Sequence, residues 1–262
     1  MDIIIAKELT KTYPHQAPAL DNVSIAVAKG EFVGIVGPSG SGKTTLLNIL
    51  SGMDTATSGA AYIDGQDITN MAGDELVMFR RQKIGCIFRD FNLIDSLTVR
   101  ENIALPLALN KKTAAEIEEI VEGMMDFFGI EQLAHAMPHA ICGEQKQRVS
   151  AVRAMVVNPV VCYADEPTGR LNSHAAANVM EMLTLMNSDN DTTILMATHD
   201  ALVASYCTRV VFLLDGKITG EISRRGSRQD FLDEILDFQF GRRGLPPQDV
   251  EGDWEQLKVE LY

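Results

Sequence analysis

Phe32-Val33-Gly34-Ile35-Val36-Gly37-Pro38-Ser39-Gly40-Ser41-Gly42-Lys43-Thr44-Thr45-Leu46-Leu47-Asn48-Ile49-Leu50 is the stretch that decides the fold. Phe32–Val36 is an apolar, strand-like run, and Thr45–Leu50 has a helical pattern. Between them, Gly37–Thr44 fits GxxxxGK[ST] without a gap. Strand, loop and helix in that order are the setting in which this motif cradles a phosphate chain. Glycines let backbone N–H groups turn inward around an anion, and a helix N-terminus adds partial positive charge. Lys43 is placed to reach β- and γ-phosphates, and Thr44 to ligate Mg²⁺. The loop runs from Gly37 to Thr45, so Pro38, Ser39, Gly40, Ser41, Gly42 and Thr45 join the candidate nucleotide contacts.

A Mg²⁺-nucleotide site needs a second oxygen ligand at the end of a buried strand. Val160-Val161-Cys162-Tyr163-Ala164-Asp165 supplies it, with four of the five residues before Asp165 apolar. Asp165 is the expected metal ligand, directly or through water. Glu166 follows and is placed to orient or deprotonate an attacking water. An apolar run ending in Asp-Glu is weak alone and strong when paired with a phosphate loop.

Working outward, Ile- and Val-rich runs near 3–5, 23–27, 32–36, 84–88, 160–164, 193–197 and 209–214 read as strands. Helical patterns lie near 42–51, 74–82, 98–108, 114–128, 143–157, 173–187 and 227–240. Their alternation implies an α/β fold, a sheet covered on both faces. From about 89 to 157 helical signals dominate, which predicts a helical subdomain inserted into the core. Gly/Ser/Arg punctuation near 224–228 sets off a C-terminal extension. The domain boundaries expected are therefore 1–225 for the nucleotide-binding unit and 226–262 for a helix and a tail that is partly mobile.

The chain has 262 residues, 46% of them hydrophobic and 23% charged, enough for one large core and too apolar for a disordered chain. A net charge of −13 argues against broad nucleic-acid binding. No apolar run reaches the roughly 18 residues of a spanning helix, and the N-terminus reads as a strand, not a signal peptide. A cytoplasmic location is expected, with any membrane role reached through a partner. Cys86, Cys142, Cys162 and Cys207 are scattered, without zinc-site spacing, and are expected as reduced thiols.

GPSGSGKTT, YADEPTGRLN and ATHD, in this order and spacing, resemble ATP-binding-cassette nucleotide-binding domains over roughly residues 2–225. The resemblance implies a P-loop NTPase core, a RecA-like sheet with an antiparallel β portion, carrying the helical insertion. It places Tyr13 of KTYP as the aromatic ring that stacks on adenine, an interaction of ~1–3 kcal/mol per base. It places His199 of ATHD as the switch histidine that contacts the γ-phosphate. IGCIFRDFNLIDSLTVRENIALPL looks like the segment found in macrolide-export, lipoprotein-release and antimicrobial-peptide-resistance ATPases. GSRQDFLDEILDF is similar to the C-terminal helix of the bacitracin-export branch.

Three motifs depart from the family pattern. Where the family has its LSGGQ signature, which caps the ATP of an opposite subunit, this chain has Ile141-Cys142-Gly143-Glu144-Gln145. Cys142 offers a weaker donor than serine, and Glu144 brings a negative charge. Two unit charges about 4 Å apart repel by ~4 kcal/mol at an effective dielectric near 20, so this half of the composite site is expected to be impaired unless Glu144 swings away or is protonated. Arg89 stands where the family has the metal-ligating Gln, and Arg has no acceptor; it is expected to point instead at a phosphate oxygen or at the membrane subunit, the alternative being a solvated loop arginine. Asn172 replaces an Asp in the loop after Glu166.

The function expected is that of the ATP-binding and hydrolysing subunit of a transporter, with ATP and Mg²⁺ as cofactors. It would power export or membrane extraction of a substrate, an antimicrobial peptide or a lipid-like molecule, through a separate integral membrane permease. It would act on the inner face of the membrane, as a homodimer or as a heterodimer with a second cassette subunit. The alternative is a nucleotide-gated dimerisation or signalling module with little turnover.

Overall fold

The computed structural model describes residues 1–241; residues 242–262, where most of the expected tail falls, lie outside the described residues. Along the chain run β1 (Asp2–Thr12), β2 (Pro18–Ala28), β3 (Phe32–Val36), α1 (Lys43–Leu50), β4 (Ser58–Ile63), β5 (Gln66–Asp67), α2 (Gly73–Lys83) and β6 (Ile84–Phe88). There follow α3 (Val99–Leu109), α4 (Ala114–Phe127), two short 3₁₀ turns, α5 (Gly143–Met155), β7 (Val161–Asp165) and α6 (Ser173–Asn190). The last elements are β8 (Thr193–Thr198), α7 (Ala201–Ala204), β9 (Arg209–Leu214), β10 (Lys217–Ser223) and α8 (Arg228–Gln239).

Two sheets carry the fold. A six-stranded sheet has the order β10-β9-β3-β8-β7-β6 and is parallel except for β10, which pairs antiparallel with β9. A four-stranded antiparallel sheet has the order β2-β1-β4-β5. Side chains on a strand alternate between faces, and here both faces of the six-stranded sheet are buried. Val36, Ile87, Cys162, Ala164, Ile194 and Met196 face the helical side, while Val33, Ile35, Val161, Tyr163, Leu195 and Ala197 face the antiparallel sheet and α1. Two-sided burial explains why these strands read as continuous apolar runs.

The helices begin where their caps dictate. Thr98 with Glu101, Thr113 with Glu116 and Ser227 with Asp230 form capping boxes at the starts of α3, α4 and α8. α3 continues through Pro106. Between β6 and β7 the described elements are all helical, and α3 packs against both α4 and α5. α8 folds back onto the core through buried Phe231 and Ile235, and Phe238 stacks on Phe212 of β9 with centroids 3.9 Å apart. The parallel strands β3, β6, β7 and β8 all end on one side, so Gly37, Arg89, Glu166 and His199 emerge together there.

Candidate functional site

The loop after β3 closes over its own lysine. Lys43 Nζ donates to Gly37 O at 2.7 Å and Pro38 O at 2.8 Å, which holds the loop as a ring around the ammonium group. Gly42 is the N-cap of α1 in the left-handed conformation, leaving the first N–H groups of the helix aimed at the loop mouth. A side chain at Gly37 has no room: a Cβ there would lie 2.0 Å from Leu213 O and 2.7 Å from Ser41 Oγ. Ser41 is itself buried, and its hydroxyl has no hydrogen-bond partner among the described residues.

β7 brings the carboxylates to this loop. Thr44 Oγ1 donates to Asp165 Oδ1 at 3.2 Å, so two oxygens converge beside the first turn of α1. Glu166 sits one residue further in the left-handed region, φ 46°, its N–H bonded to Ala197 O at 2.9 Å. That backbone is uncommon for a non-glycine residue and tends to persist at functional sites. It directs the carboxylate to the end of β8, where Glu166 Oε1 is 2.8 Å from His199 Nδ1 and Oε2 accepts a long bond from Thr198 Oγ1 at 3.5 Å.

Burial and charge act together on these groups. Desolvation lowers the Lys43 pKa from its ordinary value, while Glu166 and Asp165 pull it the other way. Burial, followed by the neighbouring charge of Glu166, raises Asp165, against the opposing pull of Thr44, Lys43 and Arg89. An oxygen pair beside a carboxylate that burial makes less content to be charged suits a hard divalent cation, which takes few protein ligands and completes its shell with phosphate and water oxygens. The glycine-walled cradle with a lysine at its centre suits a phosphate chain. The cleft has a volume of about 700 Å³ and is lined by Gly37–Gly40, Lys43–Thr45, Arg89, Glu166 and His199, with Phe212 and Phe240 on its far wall.

The ABC transporter family model matches residues 20–169 of this chain. The chain belongs to the ABC transporter family. It is an ATP-binding subunit of such a transporter, an ATPase coupled to transport, and cassettes of this family work with a membrane permease. It is 44% identical to the uncharacterized ABC transporter ATP-binding protein YvcR of Bacillus subtilis, over 90% of this chain and 93% of that one. It is 41% identical to the bacitracin export ATP-binding protein BceA of Halalkalibacterium halodurans, over 91% and 96%. A solved structure of the cassette MJ0796, dimeric and bound to ADP and Pi, superposes with a TM-score of 0.79 at 37% identity, covering 86% of this chain and all of that one. Among the described residues no helix is long and apolar enough to cross a membrane.

The other family positions are placed as follows. Cys142 is the exposed N-cap of α5 and donates its N–H to Gln145 Oε1 at 3.0 Å; Gly143 lies against Leu171 and Phe91. Cys142, Gly143, Glu144 and Gln145 are not among the described residues that line the phosphate-loop cleft. Glu144 Oε1 accepts from Asn178 Nδ2 of α6 at 2.9 Å. Asn172 caps α6, its Oδ1 accepting from Ala175 N at 2.9 Å, so the uncharged residue has a structural task. Tyr13 does not line the cleft either: its hydroxyl donates to Asp54 Oδ2 at 2.8 Å. Lys11 Nζ reaches the other oxygen of that carboxylate at 2.7 Å and lies 4.8 Å from the Tyr13 ring centroid. Sequence reading missed Asp54 and Lys11, which meet only through the fold. It also missed Thr198, although that residue stands directly before His199.

Proposed function

We propose that this cleft binds Mg²⁺-ATP and hydrolyses it, and that hydrolysis drives export or membrane extraction of a substrate through a separate permease on the inner face of the membrane. The observation that carries the reading is the convergence of Lys43, Thr44, Asp165, Glu166 and His199 on one side of the parallel sheet. Lys43 would leave its two carbonyl partners for the β- and γ-phosphates as the cradle fills. Thr44 and Asp165 would hold Mg²⁺, which when bound supplies charge on the phosphate oxygens. Glu166 would take the proton of the attacking water, and His199, already bonded to Glu166, would fix that carboxylate and touch the γ-phosphate. Tyr13 would serve as the adenine platform, in an orientation set by Asp54. The resemblance to BceA, a bacitracin export ATP-binding protein, supports an antimicrobial peptide as substrate.

ATP sites of this kind are completed by a second cassette, either a copy of this chain or a different subunit, and the dimeric state of MJ0796 supports such a pairing. Cys142 and Glu144 favour a different subunit with a serine-glycine signature, which would complete this chain's own ATP. The same residues, with Arg89, also support the second reading, a nucleotide-gated signalling module with little turnover.

Phosphate release from the chain reconstituted with its permease separates the two. Partner-stimulated turnover that Glu166→Gln abolishes supports the transport reading. ATP binding without turnover, with or without the permease, supports signalling. A weak basal rate that rises in Cys142→Ser/Glu144→Gly confirms an impaired signature, whereas full turnover by the purified chain alone rules that impairment out.

A further inference from the structure

Arg89 leaves β6 one residue after Phe88, whose register partner on β7 is Asp165. Its stem lies along the backbone that follows Glu166: a Cβ on Gly169 would meet Arg89 Nε at 3.1 Å and Cδ at 3.5 Å. From there it lines the cleft beside Lys43, Thr44, Glu166 and His199. The surrounding loop is pinned by other arginines. Arg170 Nη2 is 2.6 Å from Asp90 Oδ1, and Arg153 donates to Asn92 O at 2.7 Å and Phe91 O at 3.1 Å. Both of those guanidinium groups are engaged with the loop. Among the described residues no carboxylate lies at ion-pair distance from Arg89.

A guanidinium cannot ligate a cation. It presents five donors in a fixed fork that matches two phosphate oxygens. We infer that Arg89 is a phosphate ligand for the terminal phosphate of ATP, so that this cleft holds ATP with weak dependence on a divalent cation and prefers ATP to ADP even when that cation is absent. This rests on the reading of the cleft as an ATP site.

The test is equilibrium binding of ATP and ADP to the purified chain, in Mg²⁺ and in EDTA, for wild type, Arg89→Gln, Arg89→Lys and Lys43→Ala. Arg89 is exposed and, among the described residues, forms no ion pair, so Arg89→Gln should melt with wild type. In EDTA, Arg89→Gln should bind ATP about tenfold or more weakly than wild type, the scale of one charge-assisted phosphate contact, with ADP unchanged. Arg89→Lys should recover part of the loss. The inference is overturned if Arg89→Gln matches wild type for ATP in EDTA, or if ATP and ADP weaken by the same factor. A wild type that binds ATP in neither condition, or a Lys43→Ala that binds as well as wild type, instead overturns the ATP-site reading beneath it.

Discussion

Substituting Gly37 by alanine adds one methyl group at the point where the phosphate loop crosses β9. That carbon would stand 2.0 Å from Leu213 O and 2.7 Å from Ser41 Oγ. Leu213 O is main chain inside a strand and cannot rotate away, so the loop must retreat by more than an ångström. The retreat moves Gly37 O, one of the two carbonyls that hold Lys43, and Pro38 O with it. Overpacking of this kind costs about 1–3 kcal/mol in stability. The larger effect falls on binding. The same retreat displaces the loop N–H groups that would surround the phosphates, and losing two such charge-assisted hydrogen bonds of about 1.5–3 kcal/mol each weakens ATP by roughly a hundredfold or more. Gly40→Ala is the internal control. Gly40 has φ +81° but nothing within 4 Å of its Cβ position, so alanine there meets no clash and carries the left-handed backbone penalty of about 1–2 kcal/mol. Calorimetric titration with ATP, beside thermal melts of both variants, separates clash from strain. Gly37→Ala binding within threefold of wild type, or no worse than Gly40→Ala, would falsify the crossing geometry as the reason for that glycine.

Glu166→Gln should retain ATP binding and lose about 10²–10⁴ in turnover, the usual scale of a general base; comparable turnover in a phosphate-release assay would remove Glu166 from that role. Phe231, 1% exposed on α8, should cost about 3–5 kcal/mol as alanine, and a denaturant midpoint unchanged from wild type would show α8 to be dispensable for the core. Arg209 clamps Glu31 at 2.6 and 3.1 Å and Glu221 at 2.8 Å, so Arg209→Met should destabilise by about 2–3 kcal/mol at neutral pH, where it strands Glu31. Burial works to raise Glu31, but the bonds from Arg209 and Ala28 hold it below its ordinary 4.5. A depressed carboxyl contributes stability above its unfolded pKa and loses it as pH falls through the folded one. The gap between wild type and Arg209→Met should therefore narrow as the pH drops below 4.5; a constant gap in urea melts would count against the pair.

What was legible in the sequence was local. The phosphate loop, Asp165 and Glu166 are short motifs flanked by their own strand and helix, and their spacing carries its own physical meaning. The core strands were legible because both faces are buried and the runs are uninterrupted. β4, β5 and β10 were not. Ser58–Ile63 is rich in glycine and alanine and becomes a strand by pairing with β1, while Lys217–Ser223 is an edge strand broken by Gly220. Strand order was hidden for the same reason, since β3 lies between β8 and β9, far along the chain. The Lys11–Asp54–Tyr13 cluster joins residues 43 and 41 positions apart, beyond the reach of any local pattern.

The structure alters the weight of one departure. On sequence alone, Glu144 threatens any phosphate that the start of α5 approaches, because a free carboxylate near an anion repels it. Its Oε1 is instead held by Asn178 Nδ2 on the neighbouring helix, at 2.9 Å. That bond draws the carboxylate toward α6 and gives it a partner that bulk water would otherwise supply. In the composite site proposed above, a partner's ATP approaching α5 would work against a tethered charge, smaller in effect than a free one, plus the absence of a serine hydroxyl at Cys142. The two losses become separable. Cys142→Ser restores a donor and leaves the charge, while Glu144→Gln removes the charge and keeps the tether. If the tether works as the geometry implies, Asn178→Ala should lower ATP-dependent dimer formation by freeing Glu144, and Glu144→Gln should make it insensitive to Asn178. Light scattering with ATP on Glu166→Gln protein reads this directly. Additive effects of Asn178→Ala and Glu144→Gln would show that the two side chains do not act as a unit.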